Sequence, residues 1–154
     1  MTAQEIAAIL SEKYSPPDWA FWTELSSKTG YQDGGRKIDA FAIHLWKSTD
    51  VPKGYSIAFE IKISRGDFFQ ETKKPLKREI FIKNSHQFYF VVPKGLIEKD
   101  EIPENCGLIE AINGEINYVK FAQSREVAGF DPEFVASMLK REDNRNVQDR
   151  KSVV

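Results

Sequence analysis

The sequence predicts a single α/β domain in which a mixed sheet is flanked by helices. Two observations predict it: strand-like and helix-like segments alternate along the chain, and 154 residues suit one domain better than two. Hydrophobic residues make up 41% of the chain and charged residues 29%, which excludes a disordered protein. We expect the domain to span residues 1–141 and to be followed by a polar, flexible tail over 142–154.

The first segments are predicted to be helical. Thr2 and Glu5 have the spacing of a capping box, and apolar residues follow them at helical intervals. Asp18 can cap a second helical segment that carries Glu24 and ends near Gly30. The chain is therefore expected to enter its first strand only after two helices.

Two strands are predicted next, over residues 36–46 and 55–63, with a turn around Pro52-Lys53-Gly54 between them. The segment that follows is helical in character, but its Pro75 cannot lie inside a regular helix. We therefore expect a short turn and then a helix that begins near Lys74.

The second half of the chain is predicted to contain three more strands and a last helix. Residues 87–92 form an apolar strand, and residues 107–112 and 115–121 flank Asn113-Gly114, a strong signal for a type I′ hairpin turn. Asp131-Pro132 supplies a cap and a first-turn proline for the closing helix. The predicted core is thus helix, strand, strand, helix, strand, with a late hairpin and a C-terminal helix added.

The composition also excludes several classes of protein. The longest apolar run, residues 88–93, has the length of a strand, and Glu5 and Glu12 interrupt the stretch that a signal peptide would need. The single cysteine, Cys106, has no partner for an internal disulfide and no neighbours at zinc-ligand spacing. We expect a cytoplasmic protein without membrane association.

Charged side chains inside predicted strands carry the functional argument. Glu60 and Lys62 are two residues apart, so they point to the same face of an otherwise apolar strand, and Asp39 lies in the neighbouring strand. A lone buried carboxylate would cost several kcal/mol or shift its pKa. A divalent cation between Asp39 and Glu60 would neutralise both carboxylates. Lys62 would lie beside the cation, and Glu24 would complete the acidic cluster.

A purely structural interpretation uses the same residues. Asp39 and Lys62 can form an internal salt bridge with Glu60 at the end of the sheet. The bare Glu-x-Lys pattern is weak, since Glu71-Thr72-Lys73 repeats it, and only the strand context separates the two occurrences. Both interpretations stay open at this point.

The segments around these residues resemble the PD-(D/E)XK nuclease superfamily, whose signature is an acid on one core strand and Glu-x-Lys on the next. The similarity spans residues 19–111. Residues 36–40 (RKIDA), 60–68 (EIKISRGDF) and 88–93 (FYFVVP), followed by 107–110 (GLIE), look like the bacterial and phage branch of MmcB-like DNA repair proteins. One departure is Ile38, which stands where the superfamily's proline precedes the first acid.

The resemblance implies a restriction-endonuclease-like fold and a role for each matching residue. Asp39 and Glu60 would be ligands of Mg²⁺ or Mn²⁺ together with the carbonyl group of Ile61. Lys62 would be the catalytic lysine, and Glu24 would be the helix glutamate of many members. These assignments are expectations from similarity.

A basic segment follows the signature. Seven basic residues face three acidic ones between Lys62 and Lys83, although the net charge of the whole chain is −1. Such polarity suits a protein that presents one face to a polyanion, and a solvated helix face explains it equally well. The candidate contacts to nucleic acid are Ser64, Arg65, Lys73, Lys74, Lys77 and Arg78.

The leading hypothesis is a Mg²⁺- or Mn²⁺-dependent nuclease that hydrolyses DNA in repair or in phage DNA metabolism, the context being implied by the resemblance. The alternative is a module on the same fold that binds nucleic acid or protein without cleaving, because fold alone does not deliver chemistry. A ribonuclease acting on structured RNA is a third hypothesis. The protein is expected to be a monomer or a homodimer.

Overall fold

The computed structural model describes residues 1–28, 36–46, 48 and 50–152, with side chains through residue 148. Ten helices and strands and one 3₁₀ turn are present in that part of the chain. In chain order they are α1 (Ala3–Lys13), β1 (Trp19–Ser26), β2 (Lys37–His44), β3 (Ser56–Ile61), α2 (Arg65–Thr72), α3 (Pro75–Lys83), β4 (Gln87–Pro93), a 3₁₀ turn (Lys99–Glu101), β5 (Gly107–Ile112), β6 (Glu115–Lys120) and α4 (Pro132–Ser152).

The described strands form one mixed sheet whose spatial order, β1 to β6, is the order along the chain. β1, β2 and β3 pair antiparallel, β3, β4 and β5 pair parallel, and β6 returns antiparallel to β5. Parallel neighbours need a crossover connection. Helices α2 and α3 supply the one between β3 and β4, which places them directly after the Glu-x-Lys segment.

Helices cover both faces of the sheet. On one face Ile6 and Leu10 of α1 pack with Phe59 of β3. On the other face Phe68 of α2 and Phe134 of α4 join a second apolar cluster. The predicted α/β class, with a mixed sheet between helices, a late hairpin and a C-terminal helix, is confirmed.

Several local predictions are confirmed as well. Thr2 and Glu5 form the capping box of α1. Asn113 and Gly114 both have positive φ angles, +51° and +77°, as a type I′ turn between β5 and β6 requires. The strands predicted from apolar patterns begin and end within about two residues of their observed limits, because local alternation fixes which residues can form a strand.

The second predicted helix is wrong, because residues 19–26 form strand β1. Trp22 and Leu25 are three residues apart, which is helical spacing, yet both are buried in the same apolar cluster on one side of the sheet. Between them Glu24 has a φ of +49°, and this irregularity shifts the strand's alternation by one residue. A bulged strand thus mimics the periodicity of a helix. The predicted end near Gly30 lies outside the described residues.

Two further helices differ from the predictions. The short turn expected before α3 is a complete helix, α2, whose first turn is capped by Ser64. α3 does begin at Pro75, as expected. Residues 142–152, predicted to belong to a polar, flexible tail, continue α4 as far as Ser152, and the described side chains beyond Arg141 are exposed or half-buried. Apolar periodicity could not reveal a helical extension that adds nothing to the core.

Candidate metal centre and nucleic-acid contacts

Asp39 and Glu60 meet where β2 and β3 run side by side. The two strands are antiparallel, and the registered pair Ala40–Phe59 places Asp39 next to Glu60 on the neighbouring strand. The Oδ2 atom of Asp39 accepts a hydrogen bond from the backbone N–H of Ile61 at 2.7 Å. This bond fixes the Asp39 carboxylate beside the end of β3.

Glu60 is 8% exposed and its side chain faces the Asp39 carboxylate. Burial raises the pKa of Glu60 to about 8, and the charge of Asp39 and a hydrogen bond with it act in the same direction. The Lys62 ammonium group, 3.4 Å from Oε1 of Glu60, acts against this shift without cancelling it. Burial therefore makes the Glu60 carboxyl group hold its proton more strongly than an exposed glutamate does.

Lys62 lies between two acids. Besides Glu60, its Nζ atom is 3.7 Å from Oε2 of Glu71, which belongs to α2 and is 6% exposed. The same oxygen atom lies 3.2 Å from Nζ of Lys77. The ion pairs of Lys62 are with Glu60 and Glu71, so the predicted salt bridge between Lys62 and Asp39 is wrong.

Glu71 is a site residue that the sequence patterns did not reveal. It belongs to the second Glu-x-Lys pattern, which does not lie in a strand. Phe68 and Glu71 are one helical turn apart and both are buried in α2, so they share the face of α2 that is turned toward the sheet. The sequence did contain one indication of this role: Glu71 is an acid on the apolar side of a helix that follows the Glu-x-Lys segment.

Glu24 lies on β1 and not on a helix, yet it borders the same site. The registered pairs Thr23–Ala40 and Leu25–Ile38 place Glu24 opposite Asp39. A pocket of about 240 Å³ is lined by Thr23, Glu24, Asp39 and Ile61 together with Ala3, Gln4 and Ala7 of α1. Glu24 is exposed, so its carboxylate lies at the edge of this pocket and not within the buried pair.

The residues present fit a divalent cation of the Mg²⁺ type. Such a cation takes one or two carboxylates and completes its shell with water and substrate oxygens. Asp39 and Glu60 offer two adjacent carboxyl groups, and a cation between them would neutralise their charges. In the described part of the chain no group of three or more His, Cys, Asp or Glu side chains is arranged around one point, and Glu71 is already engaged by two lysines. The side chains available to a cation here are thus the two carboxylates of Asp39 and Glu60.

Most of the predicted nucleic-acid contacts have partners within the protein. The Ser64 hydroxyl group accepts from the N–H of Asp67 as the cap of α2. Arg65 forms a bidentate pair with Glu101, at 2.8 and 3.2 Å, and also donates to a backbone carbonyl group. Lys77 pairs with Glu71 as described above.

Arg78 is placed differently from the prediction. It is 6% exposed and donates to the carbonyl oxygen of Glu71 at 2.7 Å, so it does not lie on an exposed helix face. Lys73 and Lys74, at the junction of α2 and α3, are exposed. They are the two predicted contacts that stay at the surface without an ion pair to a described residue.

Neither the histidines nor the cysteine lines the pocket beside the carboxyl pair. His86 accepts from the N–H of Ser56 through Nδ1 at 3.0 Å, at the opposite end of β3 from Glu60. His44 is buried against the ring of Trp19. Cys106 is fully buried, and burial raises the pKa of its thiol to about 11.

No helix in the described residues combines the length and the apolar character that crossing a membrane requires. Comparison with known proteins adds a likeness of fold. No family model matches the chain, and no curated protein matches it. Among solved structures it is similar to the SPO1766 protein of unknown function from Silicibacter pomeroyi, with a TM-score of 0.62 and 18% sequence identity over 97% of this chain and 88% of that one. At this identity the likeness concerns the fold alone.

Proposed function

We propose that this protein is a divalent-metal-dependent nuclease that hydrolyses phosphodiester bonds in DNA. The observation that carries the proposal is the buried carboxyl pair of Asp39 and Glu60, which meets at adjacent strands with Lys62 beside it. Two like-charged groups pressed together away from water are costly unless a proton or a cation separates them. Such an arrangement is typical of a functional site and not of a folding core.

Each residue has a defined task in this proposal. Asp39 and Glu60 would hold Mg²⁺ or Mn²⁺, and the backbone carbonyl group of Ile61 would be a third ligand by resemblance to the PD-(D/E)XK superfamily. When bound, the cation polarises a phosphoryl oxygen and lowers the pKa of a coordinated water. Lys62 contributes a positive charge where charge builds on the phosphoryl oxygens, and Glu71 holds it in position. Glu24 offers a carboxylate at the edge of the pocket to orient water.

The biological setting follows from the resemblance. DNA repair or phage DNA metabolism in the cytoplasm would supply such substrates. Single-stranded, duplex and branched DNA are all candidate substrates. Structured RNA is the competing substrate, and it belongs in the same assay.

The proposal is tested by incubating the protein with single-stranded, duplex and branched DNA and with structured RNA, in Mn²⁺ or in EDTA. Cleavage in Mn²⁺ that disappears in EDTA and in Asp39→Ala and Lys62→Ala supports it. Glu79→Ala and Lys53→Ala are matched controls, because both side chains are exposed and lie outside the site. Cleavage that survives both site substitutions removes the site assignment.

A second function, a binding module without catalysis, is favoured by one observation. Glu60, Lys62, Glu71 and Lys77 form a chain of ion pairs in which Lys62 and Glu71 each have two partners, as in a structural cluster. DNA binding without cleavage in Mg²⁺ or Mn²⁺, for every substrate above, would select this function.

A further inference from the structure

A second basic surface lies where α4 packs on β1. There a cleft of about 250 Å³ is bordered by four cations and one acid. The cations are Lys28, Lys37, Lys140 and Arg141, and the acid is Glu24. We call this region the β1–α4 cleft.

The lysines of this cleft, like Lys73 and Lys74, have no acidic partner in the described part of the chain. Lys28, Lys37 and Lys140 form no ion pair with any residue in the described ranges, whereas Arg65 and Lys77 each have one. Lys37 and Lys140 are exposed, and Lys28 is half-buried. Uncompensated positive charge gathered around a concavity attracts anions, and phosphates most of all.

Arg141 fixes the shape of the cleft. Its Nη1 atom donates to the carbonyl oxygens of Thr23 at 2.9 Å and of Glu24 at 3.1 Å. These bonds tie α4 to the bulged part of β1, so the lysines are carried by two elements held in fixed relation. The shape of the cleft is therefore set by hydrogen bonds between α4 and β1.

The cleft is continuous with the site of the proposed chemistry. Glu24 borders both the β1–α4 cleft and the pocket that contains Asp39 and Ile61. Lys28 follows the C-terminal end of β1 and Lys37 begins β2, and the antiparallel register places both at the same end of the sheet as Glu60. A chain of phosphates lying in the cleft would therefore pass the carboxyl pair.

We propose that the β1–α4 cleft binds the sugar-phosphate backbone of the DNA strand that the Asp39–Glu60 site acts on. The assignment of the polyanion as DNA rests on the proposed function. The lysines contact phosphates, so binding through them depends on salt and little on sequence. The surface predicted from the sequence, at Lys73 and Lys74, is the competing location.

The test is the salt dependence of DNA binding, measured by fluorescence anisotropy in EDTA with labelled duplex and single-stranded DNA over a series of KCl concentrations. Lys28→Ala with Lys140→Ala should lower the slope of log K against log [KCl] by about 2 for duplex DNA, since each phosphate that a lysine neutralises contributes roughly 0.9 to that slope. Lys53→Ala, remote from the cleft, should leave the slope unchanged. Circular dichroism melts check that each variant is folded.

Lys73→Ala with Lys74→Ala is the matched double control. A slope that falls in this variant, while the Lys28/Lys140 variant binds like the unaltered protein, overturns the proposal. So does the absence of DNA binding by the unaltered protein at low salt. Tighter, cleft-dependent binding of RNA of the same sequence would reassign the cleft to RNA and also overturn it.

Cleavage assays on the same variants separate the two proposals. Loss of binding in the Lys28/Lys140 variant, with no cleavage by the unaltered protein in Mn²⁺, supports the cleft and removes the nuclease. Metal-dependent cleavage with unaltered binding in that variant removes the cleft and supports the nuclease.

Discussion

The two ends of β3 both bury polar groups, but they satisfy them in opposite ways. At the start of the strand the buried Ser56 bonds to neutral partners, Nδ1 of His86 at 3.0 Å and the carbonyl oxygen of Asn84 at 3.2 Å. Burial, assisted by the guanidinium group of Arg125, lowers the pKa of His86, which favours the neutral ring. At the other end Glu60 faces the carboxylate of Asp39.

This difference separates a structural role from a functional one. Neutral donors matched to neutral acceptors stabilise a fold and leave nothing unpaired. Two carboxyl groups in contact form a good pair only when a proton or a cation lies between them. Substitutions at the first end should change stability, and substitutions at the second should change chemistry.

The largest effect is expected for Glu60→Gln. Glutamine keeps the shape and the hydrogen bond of the protonated acid but cannot bind a cation as a carboxylate, so cleavage in Mn²⁺ should fall on the order of 10³-fold, the several kcal/mol that a metal contributes. Stability in EDTA at pH 7 should not decrease. Cleavage rates and urea unfolding of the same preparation measure both. Retained cleavage would show that the pair is structural.

The same variant isolates a pH effect. The pKa of Glu60 is raised from its ordinary value of 4.5 to about 8 in the folded protein, so the folded state keeps a proton that the unfolded state releases. The stabilisation is complete below pH 4.5 and is lost as the pH rises to about 8. In EDTA the unaltered protein should therefore lose stability relative to Glu60→Gln between about pH 5 and pH 8, as read from melting temperatures. A constant difference would contradict the buried, protonated pair.

Glu71→Gln should have an intermediate effect. Glu71 positions Lys62 and does not contact substrate, and removal of such a supporting group typically costs about 10–100-fold in activity. We expect the loss in kcat and little change in KM, together with an altered pH profile. Thr72→Ala, next to it on α2, is the matched control. Equal losses in both variants would indicate damage to the helix and not to the position of Lys62.

His86→Leu, at the other end of β3, should act on stability alone. It leaves the buried N–H of Ser56 without its acceptor, which costs about 1–3 kcal/mol in the free energy of unfolding. Cleavage for each folded molecule should not change. Urea unfolding measures the stability, and cleavage assays corrected for the active fraction measure the activity. A loss of cleavage without a loss of stability would show that the start of β3 also has a functional role.

The smallest effect is expected for Arg65→Ala. Its solvent-exposed pair with Glu101 contributes little to stability, and the same pair competes with any phosphate. DNA affinity in EDTA should therefore fall less than in Lys140→Ala. A larger fall would restore Arg65 as a principal phosphate contact.

Local patterns carried most of what the sequence revealed. The period-two alternation of β3 placed Glu60 and Lys62 on one face, because residues two apart in a strand point to the same side. In β1 the same period-two rule failed, because the irregular residue Glu24 shifts the alternation and gives the apolar residues a helical spacing. The long extension of α4 carried no apolar stripe and so gave no signal.

Contacts between distant segments could not be predicted. The approach of Glu71 to Lys62 depends on how α2 packs on the sheet, and the unpaired lysines of the β1–α4 cleft come from both ends of the chain. Charge along the sequence pointed to residues 62–83, but Glu101 and Asp131, which lie elsewhere in the fold, pair with two of the cations of that segment. Unpaired charge is a property of the folded surface and not of a sequence window.

Titration calorimetry of Mn²⁺ into the protein without DNA determines whether Asp39 and Glu60 together hold a divalent cation. We expect one site in the unaltered protein, and at least a tenfold weaker affinity, on the order of the effect of removing a ligand's support, in Asp39→Asn and in Glu60→Gln. Glu79→Gln should bind like the unaltered protein. Equal Mn²⁺ affinity in all four proteins would contradict the metal site, because the carboxyl pair would then be part of the fold and nothing more.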